Sequence, residues 1–245
     1  MLKNLTSMAT NMLMGLCLLS IGTTAARADF SAAEKKELNA MIEAYVLANP
    51  EIVRQTLYNL AVKEADAQRA QAMSMLYDDA GDPYIGAGAE ADIVIYEFSD
   101  YNCGYCKRIF TQLQDVLAED PKVRLTLKEY PILAESSIEA ARAAIAAQMQ
   151  GKFEAFHIGM MTWRGAISTN SILSIAAEAG LDLDQLEADM RSPQIDLILA
   201  RTQETARALE ISGTPALMIG TEFIGGAISA AEIKQVIAEQ RAANS

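Results

Sequence analysis

The sequence predicts an α/β domain that carries a helical insertion and is preceded by a helical appendage, and three observations predict it. An apolar, β-rich run at 93–98 leads directly into a helix-like run containing Arg108, Ile109, Leu113, Val116 and Leu117. After a break at Glu119-Asp120-Pro121, residues 123–130 alternate apolar with polar side chains, and a strand, helix and strand of these lengths suggest a right-handed parallel unit. From 134 to 209 almost every signal is helical, and strand signals return only at 216–219.

In chain order, residues 1–28 read as a secretory signal. Lys3 supplies the charge, 12–21 is an apolar run, and Ala26-Arg27-Ala28 places small residues before Asp29. That run is short for a bilayer, and no later stretch approaches the roughly 20 apolar residues a span needs. Cys17 lies inside it and is expected to leave with it, so the mature chain holds two cysteines in an exported compartment that permits disulfides. Residues 1–28 contain Lys3 and Arg27 and no acid, so their removal takes the net charge from −12 to −14. Such a surface disfavours nucleic acid and anionic membrane surfaces as partners. The remaining 217 residues suffice for one core with chain to spare.

Residues 29–80 are read as the appendage. Ser31 and Glu34 make a capping box, and Leu38, Met41, Ile42, Tyr45 and Val46 recur at helical spacing. Asn49-Pro50 restarts the chain as an N-cap followed by proline at the first helical position. The second helix opens with Ile52, Val53, Leu57 and Leu60 and turns alanine-rich and charged over 61–72. A segment so composed cannot make a core alone; it is expected to join subunits in a homo-oligomer, the alternative being a hairpin folded on its own domain. The turn Asp78-Asp79-Ala80-Gly81-Asp82-Pro83 sets the boundary, and the catalytic domain runs from 81 to 245. Within the insertion, Ile138, Ala141, Ile145 and Met149 form one stripe; Ile172, Ala176 and Ala179 form another, ended by Gly180; Ser192-Pro193 opens a third helix. Gly220-Thr221 turns a strand pair, and Ser229 with Glu232 caps a last helix.

The chemistry is carried by Cys103 and Cys106. A cysteine at a strand-to-helix junction faces free N–H groups and the positive end of the helix dipole, which stabilise a thiolate. Cys103 is the expected nucleophile, and Cys106, one turn on and more buried, the resolving thiol. Zinc would need about four ligands, and the mature chain offers only these two cysteines and His157. A structural disulfide across two residues closes too short a loop to restrain the unfolded chain much. A redox dithiol with no other cofactor and no metal is the reading that remains, although Met73, Met75, Met160 and Met161 leave soft copper ligation as an alternative to core filling.

The order of elements, with Gly213-Thr214-Pro215 before the late strand, resembles a thioredoxin fold with an inserted helical domain. The run Glu97-Phe98-Ser99-Asp100-Tyr101-Asn102-Cys103-Gly104-Tyr105-Cys106 resembles that of the DsbA-like thiol-disulfide oxidoreductases, and the resemblance covers residues 84 to the C-terminus. It implies that the Thr214-Pro215 peptide is cis and lies against the cysteines, so that Gly104, Tyr105, Thr214 and Pro215 meet substrate. It also implies an acid and a lysine beneath the pair, positions matched by Glu97 and Lys128. A charge within an apolar strand needs a reason, and Glu97 is either a proton relay to Cys106 or a structural ion pair with Lys128. Tyr105 stands where the most oxidising members have histidine, which implies a milder dithiol. The appendage resembles, less specifically, the N-terminal oligomerisation segment of ScsC-type proteins, the suppressor-of-copper-sensitivity branch. The resemblance implies a periplasmic enzyme, protein substrates with cysteines, a membrane redox partner and a trimer. Isomerase or reductase is the leading activity, net oxidase and copper binding the alternatives, and a glutathione-transferase relative is disfavoured by the second cysteine.

Overall fold

The computed structural model describes residues 30–243; the secretory segment read at 1–28, with Cys17, lies outside them. The chain divides into two compact units between Tyr58 and Asn59. The first holds α1 (Ala32–Ala48) and the opening of α2 (Pro50–Tyr77). Ser31 caps α1, its hydroxyl accepting from Glu34 N–H while the Glu34 carboxylate accepts from Ser31 N–H at 2.8 Å. Asn49 serves both helices: its side-chain amide donates to the Tyr45 carbonyl at 2.7 Å, closing α1, and it immediately precedes Pro50, the first residue of α2, as the sequence predicts. No residue of α1 is buried, and Met41, Ile42, Tyr45, Leu47, Ile52, Val53 and Leu57 all stand exposed.

The second unit is built on a sheet of order β1-β3-β2-β4-β5. Strand β2 (Ile93–Ser99) pairs in parallel with β3 (Val123–Glu129), Ile93 facing Val123, with α3 (Gly104–Glu119) as the crossover. Strand β4 (Ala216–Ile219) runs antiparallel to β2 and turns through Gly220, φ +61°, into β5 (Glu222–Gly225). The short edge strand β1 (Tyr84–Gly86) was not expected; Gly86, φ +90°, sits so close to β3 that a Cβ would lie 2.5 Å from the Val123 carbonyl oxygen. The insertion is α4 (Glu135–Met149), α5 (Phe153–Thr162), α6 (Thr169–Glu178), α7 (Leu183–Asp189) and α8 (Pro193–Ala208), and α9 (Ala230–Ala243) ends the described chain.

Strand alternation sends side chains to two different cores. Ile95, Leu125, Leu127 and Leu217 meet α3, α9 and the insertion through Ile109, Leu113, Ile233 and Ile145. Tyr96, Phe98, Tyr130 and Met218 face the other way, onto Leu76 of α2 and Ala206 of α8. Helix α4 departs from its expected stripe, for Ile138 and Met149 are exposed while Ala140, Ala143, Ala144, Ala146 and Ala147 are buried. Small side chains let it be enclosed on nearly every side, so bulk does not mark its buried face. The turn at 78–83 belongs to this second unit: Asp79 pairs with Arg124 at 2.6 Å, and Asp82 with Arg201 at 2.8 Å.

Candidate active site

The loop between β2 and α3 is set by Asp100, which is 1% exposed. Its carboxylate accepts from the N–H groups of Asn102, Ile132 and Leu133 and from the Ser137 hydroxyl, all within 2.7–3.0 Å. The β2–α3 loop is thereby fastened to the connection between β3 and α4. Cys103 follows in an extended conformation, φ −79° and ψ 114°, as the N-cap of α3. Its sulfur accepts from Cys106 N–H at 3.3 Å, satisfying one of the free donors at the helix start. Its S–H points to the Thr214 carbonyl at 3.2 Å, and the Thr214-Pro215 bond is cis. The geometry therefore brings Thr214, joined to Pro215 by that cis bond, to Cys103.

Both cysteines are free thiols, and they are not equivalent. Cys103 keeps 5% of its surface and Cys106 none. Burial, and next the Glu97 carboxyl, push the Cys106 thiol far above the ordinary range. Glu97 is itself enclosed, neither oxygen has a hydrogen-bond partner, and burial raises its carboxyl to about 8 against the influence of Ser99. A carboxyl titrating there can hold or release a proton near neutral pH, which suits it to exchange one with a buried thiol.

Lys128 requires a correction. Glu97 faces Leu127 across the parallel pair, and Lys128 faces Phe98, so the alternation of side chains puts Glu97 and Lys128 on opposite faces of the sheet. The ammonium pairs instead with Asp82 at 2.5 Å and lies 5.4 Å from the Tyr96 ring centroid. It joins neither Glu97 nor the cysteines.

At the surface, Gly104 is open, with no atom within 4 Å of where its Cβ would stand. Tyr105 is exposed beneath the Arg108 guanidinium, 4.7 Å from the ring centroid. Exposed Ile132 and Leu133, held through their backbones by Asp100, add apolar surface to the same end of the sheet. Met160 and Met161 are buried in the insertion core, whereas Met73 packs on the other face of the sheet. Among the described residues no group of three or more His, Cys, Asp or Glu is placed to hold a metal.

Sequence reasoning passed over Asp100, Tyr101 and Glu129 and gave His157 no role. Asp100 and Tyr101 lie within the quoted motif, alternation places Glu129 on the same face as Leu127, and His157 sits among Phe153, Phe156, Met160 and Met161 at core spacing. Those signals were present. What sequence lacks is the packing of α5 onto the loop.

Comparison with known proteins agrees with this geometry. The family model for a DSBA-like thioredoxin domain matches residues 94–238. A thioredoxin-like oxidoreductase from Silicibacter pomeroyi DSS-3 is 38% identical, with 68% of this chain and 96% of that one covered and a TM-score of 0.65. Proteus mirabilis ScsC, in a transitional conformation, is 31% identical over 88% of this chain and 98% of its own, TM-score 0.65. The thiol-disulfide exchange protein alpha-DsbA2 from Wolbachia pipientis is 25% identical over 73% and 96%, TM-score 0.67. Among curated proteins, the Na(+)/H(+) antiporter NhaA 1 of Salinispora arenicola is 24% identical over 174 residues, 66% of this chain, which spans only 27% of the antiporter. No helix among the described residues is long and apolar enough to cross a membrane. From the family model and the Silicibacter and Proteus structures together, the chain belongs to the DSBA-like thioredoxin domain family, a family of thiol-disulfide oxidoreductases.

Proposed function

We propose that the protein is an exported, periplasmic thiol-disulfide isomerase or reductase that acts on protein disulfides through Cys103 and Cys106, with no other cofactor. The observation that carries this reading is the asymmetry of the pair: one thiol capped by a helix N–H and set against the Thr214 carbonyl, the other enclosed beside Glu97. The Cys103 thiolate attacks a substrate disulfide, forming a mixed disulfide and releasing one substrate thiolate, which takes up a proton. In isomerisation another substrate thiol attacks that bond and Cys103 leaves as the thiolate. In reduction Cys106 gives its proton to Glu97 and attacks Cys103 Sγ; the Cys103–Cys106 disulfide forms, and the second substrate sulfur leaves as a thiolate that takes up a proton from water. The pair is then reduced again by a membrane redox partner. Exposed Tyr105, Ile132 and Leu133 suit apolar segments of unfolded protein substrates.

The uncovered apolar face of α1 and the start of α2 supports a homo-oligomer, and the ScsC resemblance favours a trimer. Several Cys103 sites around one substrate raise the effective concentration of attacking thiolate after each release. The test is reactivation of a scrambled disulfide protein against oxidation of a reduced one, with a copper titration alongside. Faster reactivation supports isomerase. Faster oxidation makes the protein a net oxidase, and stoichiometric copper binding without exchange rejects both activities.

A further inference from the structure

Tyr101 lies two residues before Cys103, yet its side chain turns inward and is 1% exposed. Its ring packs at 6.5 Å from Phe156 and 5.5 Å from His157. Its hydroxyl oxygen stands 3.0 Å from Glu129 Oε1 and 2.9 Å from His157 Nδ1. One oxygen thus joins the cysteine loop, β3 and helix α5 of the insertion. The backbone of the neighbouring residue Asp100 meets both cysteines: its carbonyl accepts from Cys103 N–H at 2.9 Å, and its N–H bonds the Cys106 sulfur, which favours a thiolate there. A displacement of Tyr101 therefore reaches the Cys103 backbone and the Cys106 sulfur through the single residue Asp100.

The protons of this triad can be assigned by counting. The phenol has one proton and two polar neighbours. If Glu129 were ionised, it would be a buried carboxylate with the Tyr101 hydroxyl as its bond, and the groups that act on it, Asp100, Glu97 and Asp82, are all acids. If Glu129 is protonated, it donates to the Tyr101 oxygen and Tyr101 donates to His157 Nδ1. The unmet group is then His157 Nε2–H, which has no partner. His157 is faced by the rings of Phe110, Phe153 and Tyr101 and is held neutral by burial. An unmet neutral N–H is less costly than a buried carboxylate with one hydrogen bond, so the second arrangement wins.

We propose that Tyr101 is a positioning residue for disulfide exchange: strung between a protonated Glu129 and a neutral His157, it fixes the backbone of Asp100 against the Cys103 N–H and the Cys106 sulfur and makes the helical insertion part of what sets the dithiol's redox equilibrium. This rests on Cys103 and Cys106 being the redox pair. The experiment equilibrates the full-length protein with glutathione buffers and follows the pH profile of Cys103 alkylation, for wild type, Tyr101→Phe, His157→Phe and Glu129→Gln, with urea unfolding of each. Tyr101→Phe and His157→Phe, which keep the aromatic packing, are each expected to change the equilibrium constant roughly threefold to tenfold, the worth of about one buried hydrogen bond. Their alkylation profiles are expected to move with it. Glu129→Gln, whose amide can still donate to Tyr101, is expected to stay within about twofold, as a neutral group replacing a neutral one. Lower stability of both aromatic variants with unchanged equilibrium and pH profile would overturn the proposal, as would a Glu129→Gln effect as large as theirs. A wild-type pair that never equilibrates with glutathione would reject the redox reading itself, and the inference with it.

Discussion

At the scale of single residues, two buried titratable groups give the protein opposite pH dependences. Burial raises the Glu97 carboxyl from 4.5 to about 8, so the fold favours the neutral form. Its contribution is fully present below pH 4.5 and is lost as pH rises toward 8, by an amount on the order of 4 kcal/mol. His157 is lowered by burial from 6.5 to about 3, so the fold favours the neutral imidazole. Stability from this source is intact above pH 6.5 and falls as pH drops toward 3, by about 2 kcal/mol at pH 5. Urea unfolding across pH should show Glu97→Gln flattening the alkaline limb and His157→Phe the acid limb; parallel curves for wild type and variant would contradict the burial argument. In exchange, Glu97→Gln should slow the Cys106 step about a hundredfold, as loss of a positioned acid or base does, and leave the first attack by Cys103 nearly unchanged. Stopped-flow decay of a mixed disulfide separates the two steps.

At the scale of elements, the last turns of α2 are part of the catalytic body. Leu76 is fully buried against Phe98 and Tyr130, and Leu76→Ala should cost about 2–5 kcal/mol in chemical denaturation, as enclosed leucines do. Lys128 lies in the same layer. Lys128→Met leaves Asp82 with Arg201 as its remaining partner, so it should cost less than the about 3–5 kcal/mol of a fully uncompensated buried charge, and Asp82→Leu with Lys128→Met together should recover part of that loss. Because Lys128 faces away from the dithiol, alkylation of Cys103 should be unchanged. Slowed alkylation with unaltered stability would return Lys128 to the site. Long runs of period-2 and period-3.6 patterning made β2, α3, β3 and the insertion legible in the sequence, and the cysteines, Thr214 and Pro215 were legible because their motifs are local. Lys128 was misplaced although alternation alone puts it opposite Glu97, because a motif position was carried over without its register. Edge strand β1 has only three residues, too few for a period, and the buried face of α4 is written in alanine, which hydrophobic patterning reads weakly.

At the scale of the whole molecule, the proposed oligomerisation through the appendage is what would separate isomerase from oxidase. Light-scattering mass should exceed that of one chain for the mature protein and equal it for a version beginning at Asn59, which keeps Leu76 and the ion pairs at Asp79 and Asp82. The shortened protein should lose isomerase activity and keep exchange with small disulfides. A monomeric mature protein, or undiminished isomerase activity after shortening, would move the function to net oxidation. The most direct measurement of the central claim is trapping with a scrambled disulfide protein and analysis of the mixed disulfides on non-reducing gels. Cys106→Ser should accumulate a mixed disulfide mapped to Cys103, and Cys103→Ser should form none, because Cys103 is the cysteine with surface left to it and its sulfur is the one that accepts from the helix N–H. Equal trapping by the two variants, or trapping through Cys106 alone, would contradict the assignment of Cys103 as the attacking thiol.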